Sequence, residues 1–139
     1  MNEDSNIIIR TYLAAKTTLT DTLASVNSIY HPRLPENAAL PAVSFFTRGG
    51  SASPYIPGIV IPSIQFDCWA ASPIAARVVY RALYDVLQGV QNQAVTTDDG
   101  DYLIHSAMEE VQGQDLVDEI PNYFKVLTFF SIMIRALED

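Results

Sequence analysis

The spacing of hydrophobic residues predicts a helix at the start of the chain. Between residues 6 and 25, one apolar side chain per turn falls on the same side, beginning with Ile8. Thr18 followed by Asp21 fits a capping box, so one long helix and two short helices are both compatible with this segment. Residues 32–41 then contain three prolines and are predicted to form a connecting loop.

The hydrophobic period changes abruptly within SIQFDCWAASPIAARVVYRAL, residues 63–83. The first half alternates, so Ile64 and Cys68 point to the same side of a predicted strand. Ser72 and Pro73 are then the expected N-cap and first-turn residues of a helix. The segment therefore predicts a strand that leads directly into a helix.

Charged residues are confined to one side of that second helix. Arg77, Arg81 and Asp85 share a face, and Arg81 and Asp85 have the spacing of an i,i+4 ion pair. Gly89 is expected to end the helix.

Further strands are predicted on both sides of this unit. A short strand rich in β-formers is predicted at residues 42–46. A hairpin is predicted in which residues 94–97 pair with 102–110 across an Asp-Gly turn. The longest strand is predicted at residues 123–134. Residues 47–62 contain three glycines and three prolines and are predicted to be a long loop, a kind of segment that is more often functional than idle.

These elements predict a single domain, residues 1–139, of the α+β class. We expect a four-stranded antiparallel sheet with two helices packed on one face, extended by the long loop and by the hairpin. A second connection, acidic and ten residues long, is expected at 113–122.

The final strand is predicted to be apolar on both sides. Leu127, Phe129 and Met133 alternate with a first apolar set, which is Phe124, Val126, Phe130, Ile132 and Ile134. Two helices cover only one face of such a sheet, and the other face is ordinarily polar. The second apolar set therefore needs a cover, which is either the long loop or another subunit. The pattern favours self-association, and Tyr80 and Tyr84 add aromatic surface away from the core face of the second helix.

Net charge is −8, and the excess is local. Residues 98–119 hold eight acids and no lysine or arginine, whereas the rest of the chain holds eight acids and eight lysines and arginines. A patch of this sign repels phosphate, which argues against binding of nucleic acid through its backbone. The N-terminus is acidic and the longest apolar run has nine residues, so we expect a soluble protein with no membrane contact.

No catalytic or cofactor motif is present. Cys68 has the acid Asp67 beside it, and the sequence brings neither His31, in a proline-containing loop, nor His105, on a predicted strand, to its sulfur. It is therefore interpreted as a buried structural residue. The chain has two histidines and lacks zinc, calcium-loop and phosphate-loop patterns. The sequence therefore predicts a protein without cofactor, metal or enzymatic activity.

Three segments taken together resemble the tail-terminator, or tail-completion, proteins of long-tailed bacteriophages. They are SIYHPRLPENAALPAVSFF (28–46), IQFDCWAASPIAARVVYRAL (64–83) and YFKVLTFFSIMI (123–134). The resemblance lies in a Tyr-Pro-like turn, a Leu-Pro entry into the first strand, a D-x-W-A strand end with an alanine-rich helix, and a long closing strand. The chain departs from the family pattern by a residue inserted in the turn at Tyr30-His31-Pro32 and by the long, acidic connection at 111–122.

That resemblance implies a homo-oligomeric ring, usually of six subunits, on the end of the tail tube. The ring would end polymerisation of the tube protein and join it to the head-side connector, in the tail-neck region of a virion assembled in the host cytoplasm. Viral DNA would pass through without specific binding. Another neck or head-completion protein is a close alternative, and a small intracellular ligand-binding or enzymatic α+β domain with a pocket under the long loop is the alternative from a different class.

The residues expected to act fall into three sets. Subunit contacts are predicted for Tyr80, Tyr84, Leu127, Phe129 and Met133. A loop contact is predicted for Arg48 and Tyr55. An acidic surface on the hairpin or facing the lumen is predicted for Asp98, Asp99, Asp101, Asp115, Asp118 and Glu119.

Overall fold

The computed structural model describes residues 5–35, 38–52, 59–98, 100–118 and 123–137. The helices and strands follow in the order α1 (Ser5–Ala14), α2 (Thr17–Thr20), β1 (Ile29–Tyr30), β2 (Ala42–Ala52), β3 (Ile59–Ala70), α3 (Pro73–Leu87), β4 (Gln91–Thr97), β5 (Gly100–Asp118) and β6 (Tyr123–Leu137). The N-terminal segment thus forms two helices, and the second has a single turn.

The predicted four-stranded antiparallel sheet is wrong. The described residues form a six-stranded sheet in the order β1-β2-β3-β6-β5-β4, and it is mixed because β1 pairs with β2 in parallel. The other four pairings are antiparallel. The proline-containing segment after β1 returns the chain so that β2 runs in the same direction as β1.

The predicted loop at 47–62 is wrong for most of its length, because β2 extends to Ala52 and β3 starts at Ile59. Gly49 and Gly50 both have positive φ, and the pairing register shifts between Thr47 and Gly50. A Cβ on Gly50 would run into the carbonyl oxygen of Ile61. The glycine pair therefore marks a bulge with a close backbone approach, and it does not end the strand.

β5 is similarly longer than predicted and continues through most of the expected 113–122 connection. Three register irregularities interrupt its pairing with β6, at 104–106, 109–111 and 111–114. Each irregularity places an extra residue in β5, which breaks the simple alternation that a sequence reading relies on.

The helix α3 begins and ends as the sequence predicts. Ser72 accepts a hydrogen bond from the Ala75 backbone N–H at 3.2 Å, and Pro73 occupies the first turn. Gly89 follows the helix with φ of 77°, a conformation that glycine adopts without strain.

One hydrophobic core lies on the side of the sheet that faces the helices, called here the helix side. Phe45, Phe66 and Phe130 cross three adjacent strands with ring centroids 5.7 and 5.8 Å apart. All three helices contribute buried residues to the same cluster. The Tyr12 hydroxyl donates to the Val86 carbonyl at 2.5 Å and so joins α1 to α3.

Candidate functional site

The opposite side of the sheet, called here the outer face, carries the second apolar set of β6. Leu127, Phe129 and Met133 are each half-buried, and they alternate with residues whose side chains are fully buried in the core. The prediction that this strand is apolar on both sides is therefore confirmed. None of the described helices contributes to covering this face, since all of them pack into the core cluster on the helix side.

Phe129 is partly covered by a neighbouring side chain within the sheet. The Arg48 guanidinium lies 4.0 Å from the centroid of its ring, a cation–π geometry. Arg48 itself is exposed and belongs to β2, not to a loop. The structure thus brings together one predicted interface residue and one predicted loop residue, while Tyr55 lies outside the described residues.

β5 extends the apolar outer face in a way that the sequence reading missed. Met108, Val111 and Leu116 are 64, 38 and 39% exposed. The pairing register puts Val111 opposite Phe129 and Leu116 opposite Lys125, so these side chains share the outer face. The sequence prediction missed these residues because it did not include the bulges of β5, and a bulge changes which residues of a strand share a face.

A polar cluster borders this apolar area. The Trp69 indole N–H donates to the Ser44 hydroxyl at 2.9 Å, and the Lys125 ammonium lies 3.9 Å from an Asp67 carboxylate oxygen. Burial raises the pKa of Asp67, and Lys125 and a hydrogen bond from Gln65 oppose that rise. The cluster gives the outer face a polar rim, as protein interfaces commonly have.

A second surface feature is a cleft of about 400 Å³ between α3 and β5. It contains the other two predicted interface residues. Its lining residues are Arg77, Tyr80, Arg81, Tyr84, Gln112 and Gly113. We call it the α3–β5 cleft.

Tyr80 is the fixed element of the α3–β5 cleft. Its hydroxyl donates to Glu109 Oε2 at 2.7 Å and accepts from the Gly113 backbone N–H at 3.2 Å. Thr128 Oγ1 lies 2.7 Å from the same Glu109 oxygen, within reach of a further hydrogen bond. Burial and the hydrogen bond to Glu109 raise the pKa of Tyr80. Tyr84 lies beside it, with ring centroids 6.3 Å apart.

The two arginines of the cleft differ in their partners. Arg77 donates to Asp115 Oδ1 at 2.8 Å and stacks over the Tyr80 ring. The predicted ion pair between Arg81 and Asp85 is wrong, because no such pair lies within 4.0 Å among the salt bridges of the described residues. Arg81 is exposed, and it has no hydrogen-bond or ion-pair partner in the part of the chain that the structure describes.

The predicted acidic residues do not form one surface. Asp98 is exposed at the turn between β4 and β5, and Asp101 accepts a hydrogen bond from Thr96 at 2.9 Å near the same turn. Asp115 lies far along β5 in its pair with Arg77. Asp99 and Glu119 lie outside the described residues, and for Asp118 only the backbone position at the end of β5 is described.

Cys68 is fully buried in the core, as predicted, and burial raises the pKa of its thiol. Its surroundings hold the sulfur in the unreactive protonated form. Within the described ranges, no group of three or more His, Cys, Asp or Glu side chains is placed to hold a metal ion. No helix in those ranges has both the length and the apolar character needed to cross a membrane.

Comparison with known proteins adds a relationship of fold. No protein-family model matches the chain, and no curated protein matches its sequence. Among solved structures, a chain from the virion of a native gene transfer agent particle superposes with a TM-score of 0.64 at 15% sequence identity. The match covers 94% of this chain and 93% of the other, so the two share the same fold over nearly their whole lengths.

Proposed function

We propose that this protein is a non-enzymatic structural component of a phage-like virion. It forms a ring on the end of the tail tube, stops tube polymerisation and joins the tube to the head-side connector. The observation that carries the proposal is the apolar outer face, on which Leu127, Phe129 and Met133 are supplemented by the exposed β5 side chains Met108 and Val111. Clustered apolar residues of this kind on a protein surface mark interaction sites.

The fold shared with a chain of a gene transfer agent virion supports the same conclusion. The bulk of a virion consists of copies of a few proteins in contact with one another, and the outer face is a surface suited to such a contact. The sequence resemblance to tail terminators narrows the proposal to the tube end.

The direct test is the native mass of the purified protein, measured alone and after addition of tail tubes. A discrete oligomer that caps tube ends, visible by negative-stain microscopy, is the expected result. A protein that remains monomeric and does not bind tail tubes would overturn the proposal.

A paired substitution connects this test to the outer face. Met133→Lys places a charge among the apolar side chains of β6 and is expected to abolish assembly, whereas Gln93→Lys, on an exposed position of β4, is the matched control and is expected to assemble normally. Both variants should retain the wild-type circular dichroism spectrum. Equal assembly of the two variants would count against the outer face as the contact surface.

A further inference from the structure

The α3–β5 cleft combines features that point to a protein ligand. It joins two tyrosines and two arginines, which are residue types enriched at interface hot spots. The next turns of α3 expose Ile74 and Val78, which are 79 and 52% accessible. The cleft therefore has aromatic walls, an aliphatic border and a cationic group at its mouth.

Arg81 is the cation of the cleft that is available to a partner. Arg77 is already engaged by Asp115, and the Tyr80 hydroxyl by Glu109 and Gly113. Arg81 has no such contact within the described ranges, although it lies on the same helix face. A guanidinium binds a carboxylate through two parallel N–H donors.

The acidic end of the β4–β5 hairpin carries carboxylates, the group that a guanidinium binds. Asp98 and Asp101 are exposed there, and no lysine or arginine occurs between Arg81 and Lys125 along the chain.

The two features cannot meet within one chain. Asp101 lies opposite Leu137 and Gln114, next to Gly113, lies opposite Leu127, so the two features are roughly 33 Å apart along the sheet at about 3.3 Å per residue. They can meet only between two copies. A contact between different surfaces of identical subunits is heterologous, and it closes into a ring when the rotation between subunits allows.

We propose that the α3–β5 cleft binds the acidic β4–β5 hairpin end of a second copy of this chain, with Asp98 and Asp101 against the Arg81 guanidinium. The inference rests on the proposed ring and identifies one of its contacts.

A charge exchange between two variants tests this contact. Arg81→Glu and the double variant Asp98→Lys/Asp101→Lys are each expected to dissociate, with at least a tenfold rise in the concentration needed for half-assembly. Mixed in equal amounts, the two variants should assemble again, because each cleft then meets a hairpin of opposite charge. Assembly of the wild-type protein should also weaken as NaCl rises from 50 to 500 mM.

Matched controls separate this contact from general effects of charge. Arg33→Glu and Asp21→Lys change exposed residues outside the two surfaces and should leave assembly unchanged. Thermal denaturation of every variant checks that it is folded, and Arg81→Gln provides a milder second variant if Arg81→Glu unfolds.

The possible failures are distinguishable. If the wild-type protein forms rings and Arg81→Glu assembles equally well, the cleft contact is refuted while the ring stands. If Arg81→Glu dissociates but the lysine variant assembles, or if the mixture stays dissociated, the hairpin is not the occupant and the inference is overturned. A wild-type protein that is monomeric with and without tail tubes would overturn both the inference and the proposed ring.

Discussion

The hydroxyl of Tyr80 is expected to be a measurable source of stability, and Tyr80→Phe isolates it. The substitution keeps the ring and its packing against Arg77 and Tyr84. It removes the 2.7 Å hydrogen bond to Glu109 and leaves the Gly113 N–H without its acceptor. The Glu109 carboxylate and the Gly113 N–H thus each lose one hydrogen-bond partner.

The magnitude follows from those two contacts. A hydrogen bond to a charged group contributes about 1.5–3 kcal/mol, and an orphaned buried donor costs about 1–3 kcal/mol. The α3–β5 cleft is open to solvent, so water replaces part of each contact. We therefore expect a decrease of about 2 kcal/mol in the free energy of unfolding, which lowers Tm by about 6–8 °C in a chain of this size.

The assay is urea denaturation followed by circular dichroism, with Tyr84→Phe as the control. The Tyr84 hydroxyl has no hydrogen-bond partner among the described residues, so its loss is expected to change stability by less than about 0.5 kcal/mol. A double-mutant cycle of Tyr80→Phe with Glu109→Ala should give a coupling energy of about 1 kcal/mol or more. Equal effects of the two tyrosine substitutions, or additivity in the cycle, would refute the reasoning.

Two further predictions concern the bulge in β2 and the buried carboxylate. Gly50→Ala places a Cβ against the Ile61 carbonyl at a position with φ of 137°. We expect the free energy of unfolding, measured by urea denaturation, to fall by about 2 kcal/mol or more. A variant as stable as the wild type would show that the bulge relaxes. Asp67 has its pKa raised by burial, so the folded state binds its proton more tightly than the unfolded state does. Ionisation therefore costs stability, and this cost is absent below the unfolded pKa, grows as pH rises from the unfolded to the folded pKa, and is complete above the folded pKa. Asp67→Asn should accordingly gain stability relative to the wild type between pH 4 and 7, and a relative loss over that range would mean that the ion pair with Lys125 outweighs burial.

Parts of the fold were predictable from sequence because local chemistry decides them. Ser72, Pro73 and Gly89 set the ends of α3 through contacts with their immediate neighbours, and the structure has those ends. The alternation of apolar and polar residues around Ile64 and Phe66 likewise predicted which side of β3 faces the core. Such signals need no information from distant parts of the chain.

The errors arose where distant contacts decide the outcome. Gly50 looks like a loop residue, yet it lies in a strand because the backbone of Ile61 approaches it closely. The extension of β5 to Asp118 depends on its partner β6, whose alternation was clear while that of β5 was not. Residues Ile29 and Tyr30 have too little sequence to indicate a strand, and their parallel pairing with β2 was missed.

The candidate surfaces were predicted unevenly for the same reason. Leu127, Phe129 and Met133 follow from a regular alternation and lie together on the outer face. Arg81 was expected to pair with Asp85, but the structure gives it no ion-pair partner among the residues that it describes. The joining of Tyr80 to Glu109 links residues 29 positions apart, which no spacing rule predicts.

The number of residues in β5, with its bulges, decides which of its side chains face α3 and which face outward. Each irregularity adds one residue relative to β6, and beyond the third one Asp115 faces α3 while Leu116 faces outward. Removing the extra residue of a bulge would restore simple pairing and keep Asp115 opposite Val126 and Leu116 opposite Lys125, whereas removing a paired residue would exchange the two sides of the strand beyond it. Homologous chains that keep both surfaces should therefore differ in the length of this strand only at the bulges.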